Sequence, residues 1–231
     1  WLAVGSGENV NEHITGDTWP AHDARNQRLY ECATVMRRLW SGETVTHRGT
    51  ITVDEARLYT RPAQAPLVVG AAITERTAAW LGSWADGLIT VSSSPEGAGR
   101  VIAAFRDGGG QDKPVYLQVK LSYAATDAAA LRGAHEQWRT LTVAAELLAD
   151  LRMPDALERA ASNARAEDMH SAVHVSADLE RHAEWIRAYA DLGVERIYLH
   201  NVNVEQERFI DDFGAHVLPA FANDRGARET S

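Results

Sequence analysis

Polar residues that directly follow an apolar run are the first place to look for chemistry, because a strand that ends in a loop delivers its next side chains to a common rim. One such group follows Leu2-Ala3-Val4-Gly5: it is Ser6-Gly7-Glu8-Asn9-Val10-Asn11-Glu12-His13. Gly7 permits tight backbone geometry. Glu8, Asn11 and His13 stand just past a buried-type run, and a carboxylate there acts as a general acid or base if burial raises its proton affinity. The same residues also serve as plain loop caps, so the residue types alone leave both readings open.

Four other groups have chemistry-bearing types. Ser92-Ser93-Ser94 precedes Pro95-Glu96, a helix-start pattern that also suits phosphate at a helix N-terminus. His170 and His174 stand four apart, the spacing of two metal ligands on one helix face, but Ser171 replaces the glutamate of the zinc-protease motif and no third ligand is evident. No metal site is expected. Lys120 lies in the middle of an apolar run, where alternation points it inward and a partner is needed. His135 and His182 sit among helical apolar positions and read as packing residues, as do Trp80, Trp84, Trp138 and Trp185.

The elements that must position these groups alternate between strand and helix patterns. Strand-type runs occur at 2–5, 67–72, 87–91, 115–123 and 196–200. Between them, Asp23 is placed to cap a helix over 24–40 that ends at Gly42, Thr74 a helix to Leu81, and Ser94 a helix through Phe105. A helical pattern starts at Asp127, 141–175 is helix-leaning but irregular, Ser176 is placed to cap a long helix, and 205–221 close the chain. Residues 43–62 break the helical period and read as an inserted hairpin with its turn at Arg48-Gly49. Residues 1–221 form one domain, and 222–231 read as a polar, frayed tail.

Strands separated by helices imply a parallel sheet, either an open doubly wound sheet or a barrel. No Gly-x-Gly-x-x-Gly follows a strand, which weakens the dinucleotide-binding version. A (β/α)₈ TIM barrel takes about 30 residues per unit. Five principal strands therefore match such a barrel entered at strand four, lacking about three N-terminal βα units.

The net charge of −9 and the absence of a basic block argue against a nucleic-acid partner. The single cysteine, Cys32, excludes a disulfide framework and a Cys-based zinc cluster. No run reaches the ~18 apolar residues of a membrane span, and the first residues carry no basic segment of a signal peptide. A cytoplasmic location is expected by default.

The motif from Gly5 to His13, with Thr15-Gly16 and Trp19-Pro20, resembles the luciferase-like flavin monooxygenase superfamily. The similar branch contains the deazaflavin-dependent sugar-phosphate dehydrogenases and their FMN-type relatives. The likeness continues through Arg48-Gly49, Ala56-Arg57-Leu58-Tyr59, Ala85-Asp86-Gly87-Leu88-Ile89, Val119-Lys120-Leu121-Ser122-Tyr123, Val175-Ser176-Ala177-Asp178, Asp191-Leu192-Gly193, Tyr198-Leu199-His200-Asn201-Val202 and Phe209-Ile210-Asp211.

The resemblance implies a luciferase-like barrel with FMN, or alternatively a deazaflavin, at the C-terminal ends of its strands. It implies an acid/base role for Glu8 and a catalytic role for His200. Cofactor contacts would come from Ser6, Gly7, Asn11, Ala71, Ala72, Thr90, Ser92 and Asn201. Ile73-Thr74 stand where the sugar-phosphate enzymes carry a Gly-Gly pair. Ser94 stands where they carry a lysine for the substrate phosphate, and a neutral cap does not replace that cation. The expected activity is therefore that of a flavin-dependent oxidoreductase or monooxygenase on a small organic substrate, with a homodimer as a further expectation. Three alternatives remain: deazaflavin-dependent hydride transfer, a non-catalytic flavin-binding barrel, and a carboxylate-based hydrolase built on Glu8 and a second acid.

Overall fold

The computed structural model describes residues 1–222; residues 223–231, nearly all of the expected tail, lie outside the described residues. The chain opens with β1 (Leu2–Val4), a short α1 (Asn9–Glu12) and the long α2 (His22–Ser41). The hairpin β2 (Thr44–Arg48) and β3 (Thr52–Arg57) follows, then β4 (Val68–Ala71), α3 (Glu75–Gly82), β5 (Gly87–Ser92) and α4 (Pro95–Phe105). Next come β6 (Val115–Ser122), α5 (Asp127–Trp138), α6 (Ala145–Asp150), α7 (Pro154–Ala160) and β7 (His174–Val175). The chain ends in α8 (Leu179–Ala190), β8 (Arg196–Asn201), α9 (Gln206–Asp212) and α10 (Pro219–Ala222).

The main sheet is parallel and runs β1-β4-β5-β6, with β8 on the far edge of β6. These are the five expected strands, and the fold is α/β, a parallel sheet with helices packed on it. β7 takes the edge of β6 beyond the end of β5, since β5 pairs with residues 115–119 and β7 with 121–122. A two-residue strand carries no period, so sequence reading left it inside the irregular stretch.

Helices α3, α4 and α8 cover one face of the sheet, and α5 packs on the other at the ends of β6 and β8, where Ser122 Oγ donates to the Ala130 carbonyl. The largest apolar cluster packs Leu88, Val115, Leu117 and Val119 of the strands against Ala78 and Leu81 of α3 and Val101, Ile102 and Phe105 of α4. Gly70 has to be glycine on this face: a Cβ there would run into the Leu81 side chain. Two further clusters lie under α5 and under α8 with α9.

The starts of four helices are set by side-chain oxygens. Thr74 and Ser94 cap α3 and α4 as expected, accepting from the N–H of Thr77 and Gly97. α5 starts at Asp127 as expected, and Thr126 caps it by accepting from the Ala129 N–H. Asp178, not Ser176, caps α8, because Ser176 Oγ instead accepts from the Asp178 N–H. α2 begins one residue before Asp23 with no side-chain cap, and Asp23 pairs with Arg76 at 2.9 Å.

The expected hairpin is present and is fixed to α2 by one carboxylate. Glu31 Oε2 accepts from His47 Nε2 at 2.9 Å, from the Thr50 N–H at 2.8 Å and from the Thr50 hydroxyl at 2.9 Å. Together with the Gln27 side chain these bonds hold its pKa down to about 2.

Candidate active site

Strand alternation sorts the sheet residues between the helix-covered face and the open concave face. On β6, Val115, Leu117 and Val119 join the core, so Tyr116, Gln118 and Lys120 face the open side. On β8, Ile197 and Leu199 pack on the core, so Tyr198 and His200 face the open side. Lys120 pairs in register with His200, and Gln118 with Tyr198.

The open face has two layers. At the strand starts, Trp1 lies 5.1 Å from the Tyr116 ring and 6.3 Å from Tyr198, an aromatic contact between β1 and the far strands that requires the sheet to curl into a trough. At the strand ends the trough is polar on one wall and small on the other. Gly5 and Ala71 form the small wall; a Cβ on Gly5 would sit 3.6 Å from that of Ala71. Gln118, Lys120 and His200 form the polar wall.

Three charged or titratable groups meet there. Burial pushes the Lys120 ammonium's pKa down, and the nearby Glu8 carboxylate opposes that. Burial also pushes His200 down, and the Lys120 charge adds to the effect. Gln118 Nε2 donates to His200 Nδ1 at 3.1 Å, and the Trp138 ring stands edge-on to His200 at 4.9 Å. Sequence reading singled out Lys120 as inward-pointing but left it off the site; its place one strand from His200 was the signal available. Gln118 was missed, although it shares the parity of Lys120.

The Glu8 loop is held from outside. Gly7 turns at φ 79°, with the Glu12 carboxylate 3.0 Å from where its Cβ would be, so any side chain there is strained. Glu8 precedes α1 and is exposed, not buried as an acid/base role by desolvation would require. Asn9 Nδ2 donates to the Asp150 carbonyl at 2.9 Å and Trp19 Nε1 to the Asp150 carboxylate at 3.0 Å, which ties this loop to α6.

The expected contact residues divide. Ala71 lies in the trough. Ser6 and Gly7 line a cavity of about 400 Å³ between the loop after β1 and α2, together with His13, Arg25, Arg28 and Cys32; Lys120 and His200 do not line it. Ser92 lines a cavity of about 290 Å³ between the ends of β4 and β5, with Ile73, Thr74 and Arg100. Asn11 is exposed.

Three of the expected contacts fall on the covered side. Ala72 is buried in the core with Ala78 and Leu81. Thr90 is 4% exposed and shares the parity of Leu88. Asn201 is 4% exposed and its Oδ1 accepts from the Tyr123 N–H at 3.1 Å. A period of two decides all three, and strand ends read without parity do not reveal it.

The His170/His174 spacing does not form a helix pair. His174 lies in β7, stacked on Trp185 at 4.5 Å and hydrogen-bonded to the Tyr189 hydroxyl at 2.9 Å. Among the described residues no cluster of three or more His, Cys, Asp or Glu is arranged to hold a metal, and no helix is long and apolar enough to cross a membrane.

Comparison with known proteins places this geometry in a family. Residues 1–196 match the model of the luciferase-like monooxygenase family. The chain is 34% identical over 228 residues to an F420-dependent glucose-6-phosphate dehydrogenase of Microbacterium testaceum, covering 94% of this chain and 67% of that protein. It is 33% identical to the enzyme of the same description from Intrasporangium calvum, covering 94% and 69%. Its fold matches an F420-dependent secondary alcohol dehydrogenase solved with an F420-acetone adduct, with a TM-score of 0.84, 23% identity, and 95% and 68% of the two chains covered. A model match over most of the chain and relatives above 30% identity agree, and the chain belongs to the luciferase-like monooxygenase family of oxidoreductases.

Proposed function

We propose that this chain transfers hydride between a deazaflavin of the F420 type and a small organic substrate at a carbon that bears oxygen. The observation that carries the reading is identity of 31–34%, across 94% of the chain, to four F420-dependent glucose-6-phosphate dehydrogenases.

The residues present suit a flat ring with a polar tail. Gly5 and Ala71 leave the floor of one wall low enough for a ring to lie against it. The cavity between the ends of β4 and β5 lies at the N-termini of α3 and α4, whose remaining first-turn N–H groups suit a polar tail. The bound ring supplies the hydride chemistry, and the protein orients it. Glu8, which acts on Lys120 from the loop after β1, would move a proton at the substrate oxygen once ligand covers its exposed carboxylate, and His200 would receive the polar end of the substrate.

The sugar-phosphate substrate of those relatives is not part of the proposal. Ser94 Oγ is occupied in capping α4, 3.1 Å from the Gly97 nitrogen, and Arg100 pairs with Glu75 at 3.1 Å. A phosphate dianion at this rim would have to compete with Glu75 for Arg100. A small neutral alcohol or carbonyl compound fits better. FMN-dependent oxygenation is the second reading: Ile73, 53% exposed at the rim, and Thr74 stand where the deazaflavin enzymes resembled by this chain carry Gly-Gly.

The test is reconstitution with each cofactor, read by absorbance, followed by Glu8→Gln. Retention of deazaflavin with turnover lowered about 10²–10⁴-fold and cofactor affinity unchanged is expected. Retention of FMN alone supports the second reading, retained cofactor without turnover supports a non-catalytic binding barrel, unchanged turnover in Glu8→Gln rejects the proton-transfer role of Glu8, and retention of neither cofactor rejects the proposal.

A further inference from the structure

We infer that Gln118 and Lys120 position His200 as a neutral ring that offers its Nε2–H to an oxygen on the ligand, the hydroxyl or carbonyl of a small substrate. The inference deepens the redox reading of the trough and rests on it for the identity of the ligand.

The tautomer follows from one hydrogen bond. Gln118 Nε2 donates to His200 Nδ1 at 3.1 Å, so Nδ1 carries the lone pair and the proton sits on Nε2. The ring is held by the edge-on contact with Trp138 of α5 at 4.9 Å. The charge state follows from half-burial first and from the neighbours second. Lys120, paired with His200 across β6 and β8, makes no ion pair among the described residues, and its ammonium disfavours a second positive charge beside it. Glu8, in the loop after β1, favours the charged form of Lys120 against its burial; Trp138 brings no charge. Half-burial of His200 works in the same direction as Lys120.

A neutral N–H beside a reacting C–O bond donates to the oxygen in both alcohol and carbonyl forms and strengthens as negative charge develops there. An imidazolium would bind an anion instead. The arrangement therefore selects uncharged oxygen-bearing substrates over ammonium compounds, which Lys120 repels. Lys120 and Gln118 are positioning residues, since each acts through His200.

The experiment is nitrogen and carbon NMR of histidine-labelled full chain, with the His200 signal assigned by its loss in His200→Gln. At pH 7 the wild type is expected to show the Nε2–H tautomer. Lys120→Met should move the His200 titration midpoint up, Lys120→Arg should leave it in place, and Gln118→Leu should abolish the tautomer preference. 2-Propanol, as a probe alcohol, should shift the Nε2 signal in the wild type and not in Gln118→Leu. An imidazolium or Nδ1–H form at pH 7, an unmoved midpoint in Lys120→Met, or no response to 2-propanol would each overturn the inference. The titration is read without cofactor, so it stands or falls independently of whether deazaflavin binds.

Discussion

Gly70 sits where β4 passes under α3, and the Leu81 side chain occupies the space its Cβ would need. Gly70→Ala is expected to cost about 1–3 kcal/mol, the usual range for an extra carbon forced into a packed core, measured as a drop in the urea midpoint. Gly7, Ser94 and Thr74 were legible as a turn glycine and two helix caps because each acts within a few residues of its own position. Asn201, Thr90 and Ala72 were not. Their sequence places them at strand ends, near the rim, but which face a strand residue takes depends on register with its neighbours, and Asn201 is further committed to the Tyr123 backbone 78 residues away.

At the level of elements, β7 and α8 hold two histidines in the dry side of the fold. His174 is pushed down to about 4 by burial first and then by His182, when that ring takes a proton, and by Arg181; burial likewise lowers His182. Both rings are neutral in the fold, while the unfolded chain takes up protons near pH 6.5. Stability is therefore full above that pH and falls as the pH drops towards 4. By pH 5 the loss from His174 is about 2 kcal/mol. Urea unfolding at pH 7 and pH 5 should show it, and His174→Phe should reduce the difference. The Glu31 clip on the hairpin does not confuse this comparison, since its depressed pKa costs stability only as pH falls through the carboxylate range below about 4.5. The hairpin was readable from its broken helical period; the β7 strand was too short for any period, and its two residues look like part of a helix until Trp185 and Tyr189 are folded against them.

Across the whole molecule, β1 pairs only with β4 and β8 only with β6 among the described residues, so two sheet edges are unpaired. Leu2 is 38% exposed and Tyr198 37%. Such edges template further pairing. The 231-residue chain is expected to associate in a concentration-dependent way in analytical ultracentrifugation, and a sharp monomer at all concentrations would count against this. The alternation of strand and helix made the parallel architecture readable from sequence, because a period of two or 3.6 survives in every segment. The trough is a different matter. It exists only once Trp1 meets Tyr116 and Tyr198 across the sheet, and no local pattern records that meeting.

The two walls of that trough answer to different kinds of variation. The β1–β4 wall offers Gly5 and Ala71, which carry volume but no charge. The β6–β8 wall offers Gln118, Lys120 and His200, which bring polar groups and one ammonium, with Gln118 bonded to His200. On the proposed reading, substrate size and substrate polarity are tuned on opposite sides of one groove. A change such as Ala71→Val should narrow the range of accepted sizes while leaving protonation opposite untouched, which makes the scaffold a practical starting point for redesigning selectivity one property at a time.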